Sequence, residues 1–169
     1  AALAARLRDA ISVPTRKRLS TITGGPGCGK TTVIRGIIQV WKKASDPFGL
    51  GNEKSKNIIL CAPTGKAARK MTESTGYPAS TVHQIVYHMN KIKDALVVVD
   101  ESSMLDIQLA SRLLSKIKDN CNVVFVGDID QLDPIGPGNF FKDIIQTPKV
   151  PTVTLDVSYR QSGIVARNA

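Results

Sequence analysis

Several stretches of this chain carry residue types that could hold and cleave a phosphate chain. Gly24-Gly25-Pro26-Gly27-Cys28-Gly29-Lys30-Thr31 fits G-x-x-x-x-G-K-[ST], the Walker A phosphate loop, and Thr32 follows it. In such a loop the glycines let the backbone curl until its N–H groups point inward at phosphate oxygens. The helix that begins there adds its positive end. Gly25, Pro26, Gly27, Cys28 and Gly29 would form the cradle, with Lys30, Thr31 and Thr32 at its exit. Lys30 can reach the β- and γ-phosphates, and the Thr31 hydroxyl suits Mg²⁺. Further on, Leu96-Val97-Val98-Val99 ends in Asp100-Glu101, a Walker B arrangement. Asp100 suits Mg²⁺, directly or through water, and Glu101 suits orienting or deprotonating an attacking water. Gln131, in Gly127-Asp128-Ile129-Asp130-Gln131, offers an amide that could touch a γ-phosphate. Arg160, in Tyr159-Arg160-Gln161, offers a guanidinium for transition-state charge. A separate group is Thr64, Lys66, Thr81 and His83. Thr64-Gly65 opens a helix whose N–H groups, with Lys66, suit a nucleic-acid phosphate. Taken singly, several of these have plainer readings: Gln131 in a tight turn, Arg160 on the surface, His83 as a structural histidine.

The elements that must position these residues alternate. The first dozen residues have Leu3, Leu7 and Ile11 at helical spacing, and Ser12-Val13-Pro14-Thr15 is expected to break that helix. Residues 1–18 thus read as an N-terminal helix and linker. A β-branched run at Leu19-Ser20-Thr21-Ile22 precedes the glycine loop, and a helix follows to about Lys43. A turn-rich stretch from Ser45 leads to a second strand at Asn57–Ala62. Helices are expected from Thr64 to near Gly76 and from Ser80-Thr81, with Ser80 as N-cap. Ala95–Val99 is apolar without alternation, which suits a parallel strand buried on both faces. Then come a helix at Asp106–Lys118, a strand at Asn122–Val126, a helix at about Asn139–Gln146 and a strand at Val153–Leu155. The alternation predicts an α/β fold, a parallel sheet of about five strands flanked by helices and joined by right-handed crossovers. The chemistry-bearing residues sit just past strand C-termini, the edge where open α/β sheets bind ligands.

Bulk properties narrow the classes. At 169 residues, 42% of them hydrophobic, the chain is long enough for one domain with a sizeable core. No apolar run is long enough to span a membrane, and charges at Arg6, Arg8 and Asp9 interrupt what a signal peptide would keep apolar. Lys plus Arg number 23 against 14 acids, a net charge of +9 that favours a polyanionic partner. Cys28, Cys61 and Cys121 are odd in number and lack C-x-x-C spacing, so a disulfide framework or zinc site is not expected and a reducing cytosol fits. The chain shows no internal repeat or low-complexity tract.

Together the segments resemble the RecD-like helicases of superfamily 1, the 5′→3′ branch. Gly24–Thr32 resembles motif I, and Cys61-Ala62-Pro63-Thr64-Gly65-Lys66-Ala67-Ala68 resembles motif Ia. Ser80-Thr81-Val82-His83 resembles the DNA-contact motif that follows. Val99-Asp100-Glu101-Ser102-Ser103-Met104 resembles motif II, Val126–Leu132 motif III and Tyr159-Arg160-Gln161 motif IV. The resemblance covers nearly the whole chain in order. It implies a single RecA-like ATP-binding domain over residues 1–169, the first motor domain of an enzyme that couples ATP hydrolysis to movement along single-stranded DNA and to duplex unwinding. The implied cofactors are ATP and Mg²⁺. The implied partners are single-stranded DNA, a second RecA-like domain of the same protein and other subunits of a helicase or nuclease complex, without a membrane. The implied location is cytoplasmic or nucleoid-associated. By this resemblance Lys30 and Thr31 serve phosphate and Mg²⁺, Asp100 and Glu101 serve Mg²⁺ and water, Gln131 and Arg160 sense the γ-phosphate, and Thr64, Thr81 and His83 touch DNA. Lys66 is added on electrostatic grounds.

Some departures are visible. Cys28 stands where the family has Thr, and Asp133 where it has the first of two prolines in motif III. No Gln precedes Gln39, so the adenine-reading Gln is absent from this stretch. Tyr87–Asp94 is too short for the family's strand-splitting hairpin. The second motor domain's motifs do not appear, so this chain alone is expected to bind nucleotide and hydrolyse it poorly. Two other readings compete: a P-loop ATPase switch without helicase activity, and a passive DNA-binding module. A GTPase fits less well, because Asn90-Lys91 lies before the third strand and has Lys93 at the Asp position of N-K-x-D.

Overall fold

The structure is a computed structural model, and it describes residues 2–51, 57–131 and 138–156. Among the described residues, six parallel strands form one sheet in the order β3-β2-β4-β5-β1-β6: β1 (Leu19–Gly24), β2 (Ile58–Ala62), β3 (Ala79–Thr81), β4 (Leu96–Val99), β5 (Asn122–Gly127) and β6 (Thr152–Leu155). The helices are α1 (Ala2–Arg16), α2 (Lys30–Ser45), α3 (Gly65–Thr75), α4 (Val82–His88), α5 (Ile107–Lys116) and α6 (Phe140–Ile145), with a 3₁₀ turn at Ser102–Met104. This is the parallel α/β architecture expected, with one strand more.

The sheet is covered on both faces, so its central strands are apolar throughout. Period-two alternation sends successive residues of β4 to opposite cores. Leu96 and Val98 pack with Ile22, Val124 and Val126 against Ile34, Ile37, Ile38 and Trp41 of α2 and Met71 of α3. Val97 and Val99 pack with Val123 and Phe125 against Leu109 and Leu113 of α5 and Phe141 of α6. All of β4 and the stretch Val123–Gly127 of β5 are buried.

Three local expectations are corrected. The helix α1 does not break at Ser12–Thr15 but runs through Pro14 to Arg16. The turn around the proline is held by Thr15 Oγ1 donating to Ser12 O, Lys17 N–H donating to Val13 O, and Asn122 Nδ2 donating to Pro14 O. Ala10 of α1 is fully buried, and α1 crosses α2 so closely that a Cβ on Gly36 would come within 2.6 Å of Ile11 Cδ1. Second, the extra strand β3 is three residues long and has no apolar run to betray it; it exists by pairing with β2, Ala62 lying opposite Thr81. Third, Ser80 is therefore a strand residue, and Thr81 caps α4 in its place. Thr81 Oγ1 accepts from Gln84 N–H while Gln84 Oε1 accepts from Thr81 N–H, a reciprocal capping box.

Between α4 and β4 the chain makes no hairpin. Ile92, 1% exposed, bridges Ile117 instead, accepting from Lys118 N–H and donating to Lys116 O.

Candidate functional site

β1, β5 and β4 lie side by side, so the loops leaving their C-terminal ends form one row. The first is the glycine loop. Gly27 (φ 74°) and Gly29 (φ 86°) occupy the left-handed region, which explains glycine at both places. Gly29 caps α2 without a side chain, so nothing from that residue covers the helix's first N–H groups. Cys28 N–H donates to Gly25 O and closes the loop, while the Cys28 side chain turns inward, 8% exposed. Lys30 Nζ lies over the loop, donating to Gly24 O at 2.5 Å and to Gly25 O at 2.9 Å. Pro26, Gly27, Thr31 and Thr32 face solvent.

The second loop leaves β4. Asp100 N–H donates to Cys61 O on β2, which holds the carboxylate at the sheet's edge. Burial pushes the Asp100 carboxyl above its usual range, and repulsion from Glu101 acts the same way. The Glu101 N–H, donating to Asp100 Oδ1 at 2.8 Å, pulls it down, as do the positive charges of Lys30 and Lys70. Asp100 thus lies within the field of the loop lysine. Glu101 is half-buried and sits at φ 52°, ψ 40°, a left-handed conformation that a residue with a Cβ rarely takes. Left-handed non-glycine residues cluster at functional sites.

The third loop leaves β5. Gln131 is exposed, and its Oε1 accepts from Ser103 Oγ at 3.0 Å. Ser103 follows the two acids, so this bond ties the β5 loop to the β4 loop. Ile129 N–H donates to Thr23 Oγ1, tying the β5 loop to β1 as well. Asp128 is 5% exposed and accepts from Asp130 N–H, shaping the turn. Lys30, Asp100, Glu101 and Gln131 are thereby gathered on three neighbouring strand ends. Arg160 lies outside the described residues, as does Asp133.

The Thr64 group stands on the next two strands. Thr64 Oγ1 accepts from Ala67 N–H and caps α3; Thr81 caps α4 across the β2–β3 pair. Lys66 and His83 are exposed. Both threonines have a structural task, which sequence spacing alone did not separate from a binding one. Reading the sequence also passed over Ser103, inside the motif II stretch but given no role, and Thr23, just ahead of the glycine loop. Their signal is a hydroxyl beside a strand end, too common to single out without the partner across the sheet.

Fold and loop define a RecA-like P-loop domain. The chain belongs to the AAA domain family AAA_30, which matches residues 5–169. It is 37% identical over 155 residues to the ATP-dependent RecD2 DNA helicase of Deinococcus radiodurans, covering 86% of this chain and 20% of that protein. It is 29% identical over 167 residues to the RecBCD enzyme subunit RecD of Mycolicibacterium smegmatis, covering 82% of this chain and 30% of that one. The chain therefore spans well under half the length of these relatives. In fold it is similar to the Pif1 helicase of Candida albicans (TM-score 0.61, 20% identity, 94% of this chain and 40% of that one). It is also similar to Bacteroides Pif1 bound to single-stranded DNA (TM-score 0.60, 19% identity, 94% and 42%). The resemblance to RecD-like motor domains drawn from the motifs is borne out.

Proposed function

We propose that this chain is the ATP-binding motor domain of a DNA helicase that couples ATP hydrolysis to 5′→3′ movement on single-stranded DNA and to duplex unwinding, in DNA repair, recombination, replication or transfer. The observation that carries the reading is the row of strand ends. A loop lysine lies over its glycine cradle, a half-buried carboxylate stands on the neighbouring loop within reach of that lysine's charge, and an amide is tied to the same turn by Ser103. The names of the RecD relatives agree with it.

In this reading the Gly25–Gly29 backbone and Lys30 hold the triphosphate, and Thr32 stands at the loop's exit. Thr31 and Asp100 are oxygen donors of the kind Mg²⁺ prefers, and the ion would complete its shell with phosphate oxygens and water. When bound, Mg²⁺ neutralises charge on the transferred phosphoryl group. Glu101 orients the water and accepts its proton, and Gln131 contacts the γ-phosphate. Arg160 is proposed for the same charge from the segment after β6. Thr64, Lys66, Thr81 and His83 face the DNA backbone at the neighbouring edge. A second RecA-like domain would close the cleft, with other subunits of a helicase or nuclease complex as further partners. No described helix is long and apolar enough to cross a membrane; a cytoplasmic or nucleoid-associated site of action is proposed.

The test uses the full-length protein. Lys30→Ala should abolish DNA-dependent ATP turnover, a loss of at least about 10²-fold for a group that stabilises transferred charge. Unchanged turnover would end the motor reading.

A further inference from the structure

A groove of about 470 Å³ opens between α4 and α5, away from the glycine loop. Its walls are His83, Gln84, Val86, Tyr87 and His88 of α4 and Leu109 and Arg112 of α5. Three features of this groove are unusual together. Tyr87 is 84% exposed, an aromatic ring presented to solvent and braced edge-on by His88, with ring centroids 5.1 Å apart at 85°. His83 and Tyr87 are four residues apart, so they stand on one face of α4. Arg112 supplies a full positive charge, and no acidic side chain is among the lining residues.

We propose that this groove is a stacking platform for single-stranded nucleic acid, with Tyr87 receiving a base face and Arg112 a backbone phosphate. The proposal rests on the DNA-motor reading and extends its path. The groove begins at His83, on the helix that Thr81 caps, so it continues the edge already assigned to the strand. Every base offers a π-face, so an exposed, braced ring binds without reading sequence. A positive, acid-free lining suits a polyanion, and a nucleic-acid strand carries one phosphate charge at every step along its backbone. The chain's net charge of +9 points the same way.

The experiment measures binding of the full-length protein to a labelled oligothymidine and to an oligomer of equal length with abasic sites. Tyr87→Ala should weaken oligothymidine binding about tenfold, the scale of one base–aromatic stack, and leave binding of the abasic oligomer unchanged. Tyr87→Trp should restore affinity to within about twofold, since it keeps a stacking face. Arg112→Gln should reduce the salt dependence of binding by about one phosphate contact. Tyr87 is exposed, so these variants should keep the wild-type melting temperature. Three outcomes overturn the proposal: equal oligothymidine affinity of wild type and Tyr87→Ala; an equal loss on both oligomers; or a change confined to self-association or protein partners, which makes the groove a protein interface. If the wild type binds no single strand at all, the motor reading fails first. If it binds and unwinds while Tyr87→Ala behaves as wild type, only the platform fails.

Discussion

Glu101→Gly should make this chain more stable and less active at once. Glu101 sits at φ 52°, ψ 40°, near the centre of the left-handed region. That conformation costs an L-residue roughly 1–2 kcal/mol, whereas glycine adopts it freely. Against this, glycine's greater freedom in the unfolded chain costs roughly 0.5–1 kcal/mol. Taking the middle of each range, the net gain is about 0.75 kcal/mol, and relief of the repulsion that helps hold the Asp100 carboxyl up adds to it with the same sign. For a chain of this size, each 1 kcal/mol moves the melting temperature by about 2–4 °C, so a rise of about 1–4 °C is expected. Losing a general base should cost about 10²–10⁴ in turnover, with nucleotide affinity nearly unchanged. The assay pairs thermal melts of this chain with DNA-dependent ATP turnover of the full-length protein. Glu101→Gln separates the two stability terms, because it removes the charge and keeps the strained backbone. A glycine variant that melts below wild type would refute the strain argument. A glutamine variant that gains as much as glycine would show that repulsion, not backbone, was the term that mattered.

Ser103→Ala removes the hydroxyl that holds Gln131; turnover should fall about threefold to tenfold through lost positioning, with nucleotide affinity within about twofold by fluorescent-nucleotide titration. Gly24→Ala would place a Cβ 2.9 Å from Leu155 O and 3.0 Å from Leu155 Cβ, so it should push β6 from β1 and destabilise by about 1–3 kcal/mol in urea unfolding. Arg6 pairs with Asp156 and, by that hydrogen bond, holds its carboxyl below the usual range. A depressed carboxyl stabilises above its unfolded value and loses that contribution as pH falls through the folded one. The difference in melting temperature between wild type and Asp156→Asn should therefore be small, shrink with salt, and close below about pH 4.

Much of this was legible in the sequence because it is written in local patterns. Apolar runs ending in Gly-rich or acidic loops gave the sheet and the loop row, and Gly27, Gly29, Lys30 and Asp100 stand where their spacing placed them. What was not legible depends on partners distant in sequence. Pro14 breaks a helix in isolation, yet α1 runs on through it to Arg16, and Asn122 from β5 donates to the Pro14 carbonyl in that last turn. Three residues, Ala79–Thr81, become a strand only because β2 offers an edge. Ser80 and Thr81 are equally good caps by type, and Gln84 decides between them from N3. Ser103 gains its meaning from Gln131, 28 residues on.

The strand order has a mechanical consequence. Crossing the sheet from β1 toward β3, each neighbouring pair of strands is laced at the functional edge. Ile129 is joined to Thr23, Gln131 to Ser103, Asp100 to Cys61, and Thr81 lies in register with Ala62. The glycine cradle and the Thr81 edge are four strand spacings apart, about 19 Å, too far for direct contact. They are nevertheless stitched to one crossbar, so neither end can shift without loading the same few bonds. Under the motor reading, any factor by which a bound strand tightens the grip on nucleotide must equal the factor by which nucleotide tightens the grip on the strand. Ser103, in the middle of that crossbar, is the place to measure both.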